Sequence, residues 1–74
     1  MTLPQPSNVY SPEGALDLHV SPSARAALGE IIATKPKRVV ADLSRVSYID
    51  SSGLAVLIEA AQSLEQQGGV FMLA

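Results

Sequence analysis

The chain alternates apolar stretches of two kinds, those repeating at helical spacing and those that alternate or run unbroken as strands do. After the turn Pro12-Glu13-Gly14, Leu16, Leu18 and Val20 alternate with Asp17 and His19, the period of a strand or extended loop. Ser21 offers an N-cap hydroxyl and Pro22 suits a first helical turn. Ala24, Ala27, Leu28, Ile31 and Ile32 then recur at helical spacing, which predicts a helix over about Pro22 to Ala33. Lys35-Pro36 closes that helix, because a residue before proline is pushed out of the α region. Val39 to Leu43 is nearly unbroken apolar sequence and predicts a strand covered on both faces. A connection with some strand character, Ser44 to Tyr48, leads to Ile49-Asp50-Ser51-Ser52-Gly53. Leu54, Leu57, Ile58, Ala61 and Leu64 predict the buried face of a second helix, with Glu59, Gln62 and Glu65 outside it. Gly68-Gly69 is its expected stop, since a left-handed cap is sterically free there.

Two ends frame this pattern. Thr2 to Asn8 holds two prolines and no apolar period, predicting a flexible arm over residues 1–8 ahead of a strand stub at Val9 and Tyr10. Val70 to Ala74 is another apolar run with no turn or covering element after it, which predicts an incomplete domain over 9–74, finished by further chain or by a partner. Strands alternating with helices make the expected class α/β, a mixed sheet packed with helices.

Length and charge narrow the functions. Seventy-four residues hold one small domain, and 47% hydrophobic against 16% charged residues argues for a packed core over a disordered tail. A net charge of -2 lacks the basic footprint of a nucleic-acid binder. No cysteine is present, so there is no disulfide, thiolate nucleophile or cysteine metal site. The first ten residues have no basic and apolar leader pattern, and no apolar run approaches the ~18 residues of a membrane span. These features point to the cytoplasm and away from a membrane.

The chemistry concentrates at Asp50-Ser51-Ser52-Gly53, where the second helix opens. The plainer reading is a helix cap and a packing glycine. The sharper one is a phosphorylation site: helix N-termini favour anions by about 0.3 to 1 kcal/mol, while a phosphate of roughly -1.5 to -2 charge beside Asp50 would repel an apolar partner. A hydrolase built on His19, one of these serines and Asp17, Asp42 or Asp50 lacks the G-x-S-x-G elbow and an oxyanion loop. The same three aspartates could hold Mg2+, although caps and loop acids are commoner. Lys35, Lys37 and Arg38 fit a solvated turn, and Gly68-Gly69 lacks the Lys and Ser/Thr of a phosphate-binding loop.

The run Asp42-Leu43-Ser44-Arg45-Val46-Ser47-Tyr48-Ile49-Asp50-Ser51-Ser52-Gly53-Leu54, with Gln67-Gly68-Gly69 before an apolar strand, closely resembles the STAS domain of bacterial anti-sigma factor antagonists. Gly14-Ala15-Leu16-Asp17 is similar to that family's G-E-L-D element, so the likeness covers about Val9 to Ala74. The resemblance implies a protein-binding switch without enzymatic activity, metal or cofactor. It implies that Ser51, with Ser52 as the fallback, is phosphorylated by an anti-sigma factor that is itself a serine kinase. Asp17, Asp50, Ser51, Ser52 and Gly53 would form the partner surface, and a phosphatase would reset the switch. The alternative under the same fold is a scaffold in a transport or stress-signalling assembly, with Ser51 only capping its helix. Self-association through the exposed sheet or helix face is a further expectation. Two departures stand out: Ala15 replaces the family's Glu, and the family continues beyond the strand at Val70 to Ala74.

Overall fold

The computed structural model of the chain describes residues 8–74. Seven elements follow one another: β1 (Asn8–Tyr10), β2 (Gly14–Leu16), α1 (Ser21–Ala33), β3 (Arg38–Ala41), β4 (Val46–Ile49), α2 (Ser51–Gln66) and β5 (Val70–Leu73). This is the expected α/β architecture. The arm expected ahead of the domain lies, up to residue 7, outside the described residues; Asn8 already pairs in β1.

The strands form a three-stranded sheet ordered β1-β3-β5 and a two-stranded sheet of β2 and β4, and all three pairings are parallel. Val9, Val40 and Met72 stand abreast, as do Val39 with Phe71 and Ala41 with Leu73. Parallel neighbours need a crossover, and α1 and α2 supply it. The two helices pack against each other and so share one face of the sheet. Beneath them Val39 and Ala41 are fully buried together with Leu28 and Leu64. The opposite face is open: Val40 is half-buried between Val9 and Met72, which are 58% and 45% exposed. The expectation of a strand covered on both faces is therefore corrected, because both crossovers fall on the same side.

Three local details position the site. The alternating run from Leu16 does not continue as a strand, because the Asp17 carboxylate bends it into a turn. Its Oδ1 accepts the N–H groups of His19 (3.0 Å) and Val20 (3.3 Å), leaving Leu18 and Val20 exposed. Ser21 does not cap α1; Val20 occupies the N-cap position, and the buried Ser21 hydroxyl donates to the Leu18 carbonyl at 3.3 Å. At the far end of α2, Gly68 takes a left-handed φ of 85° and Gly69 N–H returns to the Leu64 carbonyl at 2.9 Å, as Gly68-Gly69 predicts.

α1 closes on Lys35, which also adopts a left-handed φ, 57°, and donates its N–H to the Ile32 carbonyl. A side chain in that region costs about 1 kcal/mol, and glycine removes the cost. Lys35→Gly is expected to raise stability by about 1 kcal/mol in urea denaturation; an unchanged or lower midpoint would contradict the strain.

Candidate functional site

The parallel pairing of β2 with β4 builds the site. Leu16 stands opposite Ile49, so the next residues along each strand, Asp17 and Asp50, emerge side by side at the carboxyl ends. Asp50 N–H donates to the Leu16 carbonyl at 3.1 Å, extending the ladder one step past the strands. Asp50 then turns the chain into α2 from an extended conformation, φ -107° and ψ -175°.

The Asp50 carboxylate joins two segments. Oδ1 accepts the Gly53 N–H at 3.0 Å, the N-cap bond of α2, and Oδ2 accepts the Leu18 N–H at 3.2 Å. One acid thus caps the helix and ties the β2–α1 turn to its N-terminus. Ser51 and Ser52, the first two helical residues, keep N–H groups with no protein partner among the described residues. The Ser51 side chain is exposed and that of Ser52 is half-buried. Asp50→Ala is expected to cost about 1 to 2 kcal/mol in urea denaturation and to increase amide exchange at Leu18. Retention of full stability would remove Asp50 from both roles.

Gly53 is buried against β2, where an added Cβ would overlap the Leu16 carbonyl oxygen and lie 2.9 Å from Leu16 Cβ. The absence of a side chain is what lets the opening turn of α2 rest on the end of β2. Asp17, half-buried, engages its Oδ1 with the N–H groups of its own turn.

The sequence-predicted residues therefore fall into one cluster, with distinct roles. Asp50 caps, Gly53 packs, Asp17 shapes the adjoining turn, Ser51 is the accessible hydroxyl and Ser52 is partly covered. The cap belongs to Asp50, so the scaffold alternative's assignment of capping to Ser51 is corrected. The acids do not gather as a metal site: among the described residues no three His, Cys, Asp or Glu side chains stand together. Asp42 makes none of the bonds at the α2 opening; its Oδ1 accepts the Ser44 N–H at 3.0 Å, and the Ser44 bonds hold its carboxyl below the usual carboxylate range. The His19 imidazole forms no described hydrogen bond to either serine.

Two features were not legible beforehand. Leu18, 67% exposed, is fixed beside the serines through its backbone. On α2 the buried face is Gly53, Val56, Leu57, Ala60 and Leu64, whereas Leu54 and Ile58, expected in the core, are 48% and 49% exposed. Leu54 lies one turn from Ser51 along α2, so two exposed apolar side chains, Leu18 and Leu54, sit on the segments that meet at Asp50.

This is a small parallel α/β domain presenting a serine at an acid-capped helix N-terminus. The STAS domain family model matches residues 1–74, and the chain belongs to that family. It is 34% identical over 58 residues to the anti-sigma-F factor antagonist RsfB of Mycobacterium tuberculosis, a match covering 78% of this chain and 48% of that protein. The chain thus spans about half the length of the curated relatives it matches. An anti-sigma factor antagonist from Mycobacterium paratuberculosis superposes with a TM-score of 0.85 at 29% identity, over 97% of this chain and 61% of that one. The unphosphorylated form of the antagonist SpoIIAA has the same fold, with a TM-score of 0.79 at 24% identity over 99% and 67% of the two chains.

Proposed function

We propose that this chain is an anti-sigma factor antagonist of the bacterial cytoplasm, a non-enzymatic switch controlled by phosphorylation of Ser51. Unphosphorylated, it binds an anti-sigma factor that is a serine kinase and so frees a sigma factor. Phosphorylated, it lets go, and a phosphatase restores it. The contact surface comprises Ser51, Ser52 and Asp50, with the turn at Asp17 and Leu18 and the exposed Leu54; Gly53, expected in that surface, is instead buried beneath it against Leu16.

The observation that carries this reading is that Asp50, not Ser51, holds the N-terminal cap of α2. The Ser51 hydroxyl has no structural duty among the described hydrogen bonds and stands exposed at the positive end of the helix dipole. A phosphate there leaves the cap intact while adding a dianion to a surface that also exposes Leu18 and Leu54. The relation to antagonists in mycobacteria supports an anti-sigma factor as the partner.

Titration calorimetry with a purified anti-sigma factor serine kinase tests the proposal. Saturable binding by the unphosphorylated chain is expected, competing with sigma factor for the same kinase. Absence of binding, or binding that leaves the sigma factor bound, would overturn it.

A further inference from the structure

The turn between β2 and α1 is pinned at every donor. All four N–H groups from Leu18 to Ser21 are engaged: that of Leu18 donates to Asp50 Oδ2 at 3.2 Å, those of His19 and Val20 to Asp17 Oδ1, and that of Ser21 to the Asp17 carbonyl at 2.9 Å. The Leu18 carbonyl in turn accepts the Ser21 hydroxyl at 3.3 Å, and Ser21 is the one buried polar residue among the described residues. Leu18 is thus held on both sides by side chains, one of them reaching it across 32 positions of sequence. Its own side chain is nevertheless 67% exposed, the most of any large apolar residue described. A single exposed leucine is ordinary on a protein surface; what sets this one apart is the backbone fixed on both sides of it. Every group of this clamp belongs to the segments that follow β2 and β4, and none to β5.

We propose that Leu18 is the principal apolar anchor of the partner surface, seating in an apolar recess of the anti-sigma factor serine kinase; the inference rests on the function proposed above. Asp50 is joined to Ser51 by the chain and to Leu18 through Oδ2, so the leucine and the serine stand on either side of one carboxylate. A partner seated on Leu18 therefore closes over the opening turn of α2. Leu18 supplies attraction at that point, and the charge on Ser51 decides whether closure can occur. The clamp has a purpose on this view. Ordering loops and side chains weakens an association, and a turn already fixed by its own hydrogen bonds leaves little to order. Asp50 and Ser21 are then positioning residues, which hold the Leu18 backbone and so set where its side chain projects.

Calorimetry of the 74-residue chain against a purified anti-sigma factor serine kinase tests this. The clamp engages only the N–H and C=O of Leu18, so Leu18→Ala leaves it whole and removes the side chain alone. Leu18→Ala is expected to bind at least about tenfold more weakly with an unchanged urea midpoint, and Leu18→Met to recover most of the affinity. In phosphorylation of Ser51 by the kinase, Leu18→Ala should raise KM and leave kcat unchanged. Ser21→Ala should weaken binding of the natural chain by about twofold or more, and should have no further effect in the Leu18→Ala background. Leu18→Ala binding as tightly as the natural chain, while Ser51→Asp binds weakly, would overturn the anchor and leave the phosphorylation switch standing. A lowered urea midpoint for Leu18→Ala would also overturn it, by showing the side chain packed within its own fold. No binding by the natural chain would overturn the anchor together with the function it rests on.

Discussion

Ser51→Asp is expected to weaken binding of an anti-sigma factor serine kinase at least about a hundredfold, about 2.7 kcal/mol, while leaving the fold intact. The direction follows from where the charge is placed. Ser51 is the first residue of α2 and exposed, so an added carboxylate faces solvent and the N-terminal dipole in the free chain, and stability should stay level or rise by up to about 1 kcal/mol. In the complex the same group must be desolvated on a surface that already holds the Asp50 carboxylate and exposes Leu18 and Leu54. Like-charge placement and desolvation at an interface cost several kcal/mol. Ser51→Ala should bind nearly as well as the natural chain, because Asp50 keeps the cap. Equal affinities of the Asp and Ala variants would show that charge at this position is not the signal.

Gly53→Ala is expected to destabilise the chain by about 3 kcal/mol, the upper part of the usual cost of overpacking. Elsewhere in a helix this substitution stabilises by about 1 kcal/mol. Here the methyl group would meet the Leu16 carbonyl oxygen, a backbone atom of β2 that cannot swing aside as a side-chain end does. The first turn of α2 must lift away from β2, disturbing the Asp50 bonds to Gly53 and Leu18 as well. For a chain of this size, total stability on the order of 4 to 11 kcal/mol makes that a large fraction. A urea midpoint equal to or above that of the natural chain would contradict the close contact. Gly29, in α1 with open space around its Cβ position, is the control: Gly29→Ala should stabilise.

The contrast between these glycines marks what the sequence can convey. Periodicity located both helices and most of their ends, because spacing at 3.6 residues and the Gly68-Gly69 stop are local properties. Spacing alone places the buried face of α2 one step around from its true position. The helix is apolar at Gly53, Leu54, Ala55, Val56, Leu57, Ile58, Ala60, Ala61 and Leu64, so several stripes compete. What selects among them is the contact of Gly53 with Leu16, a tertiary fact joining residues far apart in the chain. The open face of β3 was hidden for the same reason, since an unbroken apolar run does not say on which side the crossovers fall. At the site, the residue types in Asp50-Ser51-Ser52-Gly53 were legible, and the likeness to antagonists rested on them. The division of labour was not, since the Leu16–Ile49 register and the bond from Leu18 to Asp50 arise only when two short strands pair.

On the proposed reading, Ser51 phosphorylation switches partner binding without altering the fold. Intact mass and peptide mapping after incubation with an anti-sigma factor serine kinase and ATP, followed by calorimetry of the product against the same kinase, tests it most directly. One added phosphate on Ser51, with binding lost and the thermal transition preserved, is the predicted result. No added phosphate, a phosphate confined to another residue, or a Ser51-phosphorylated chain that binds as tightly as before would contradict it.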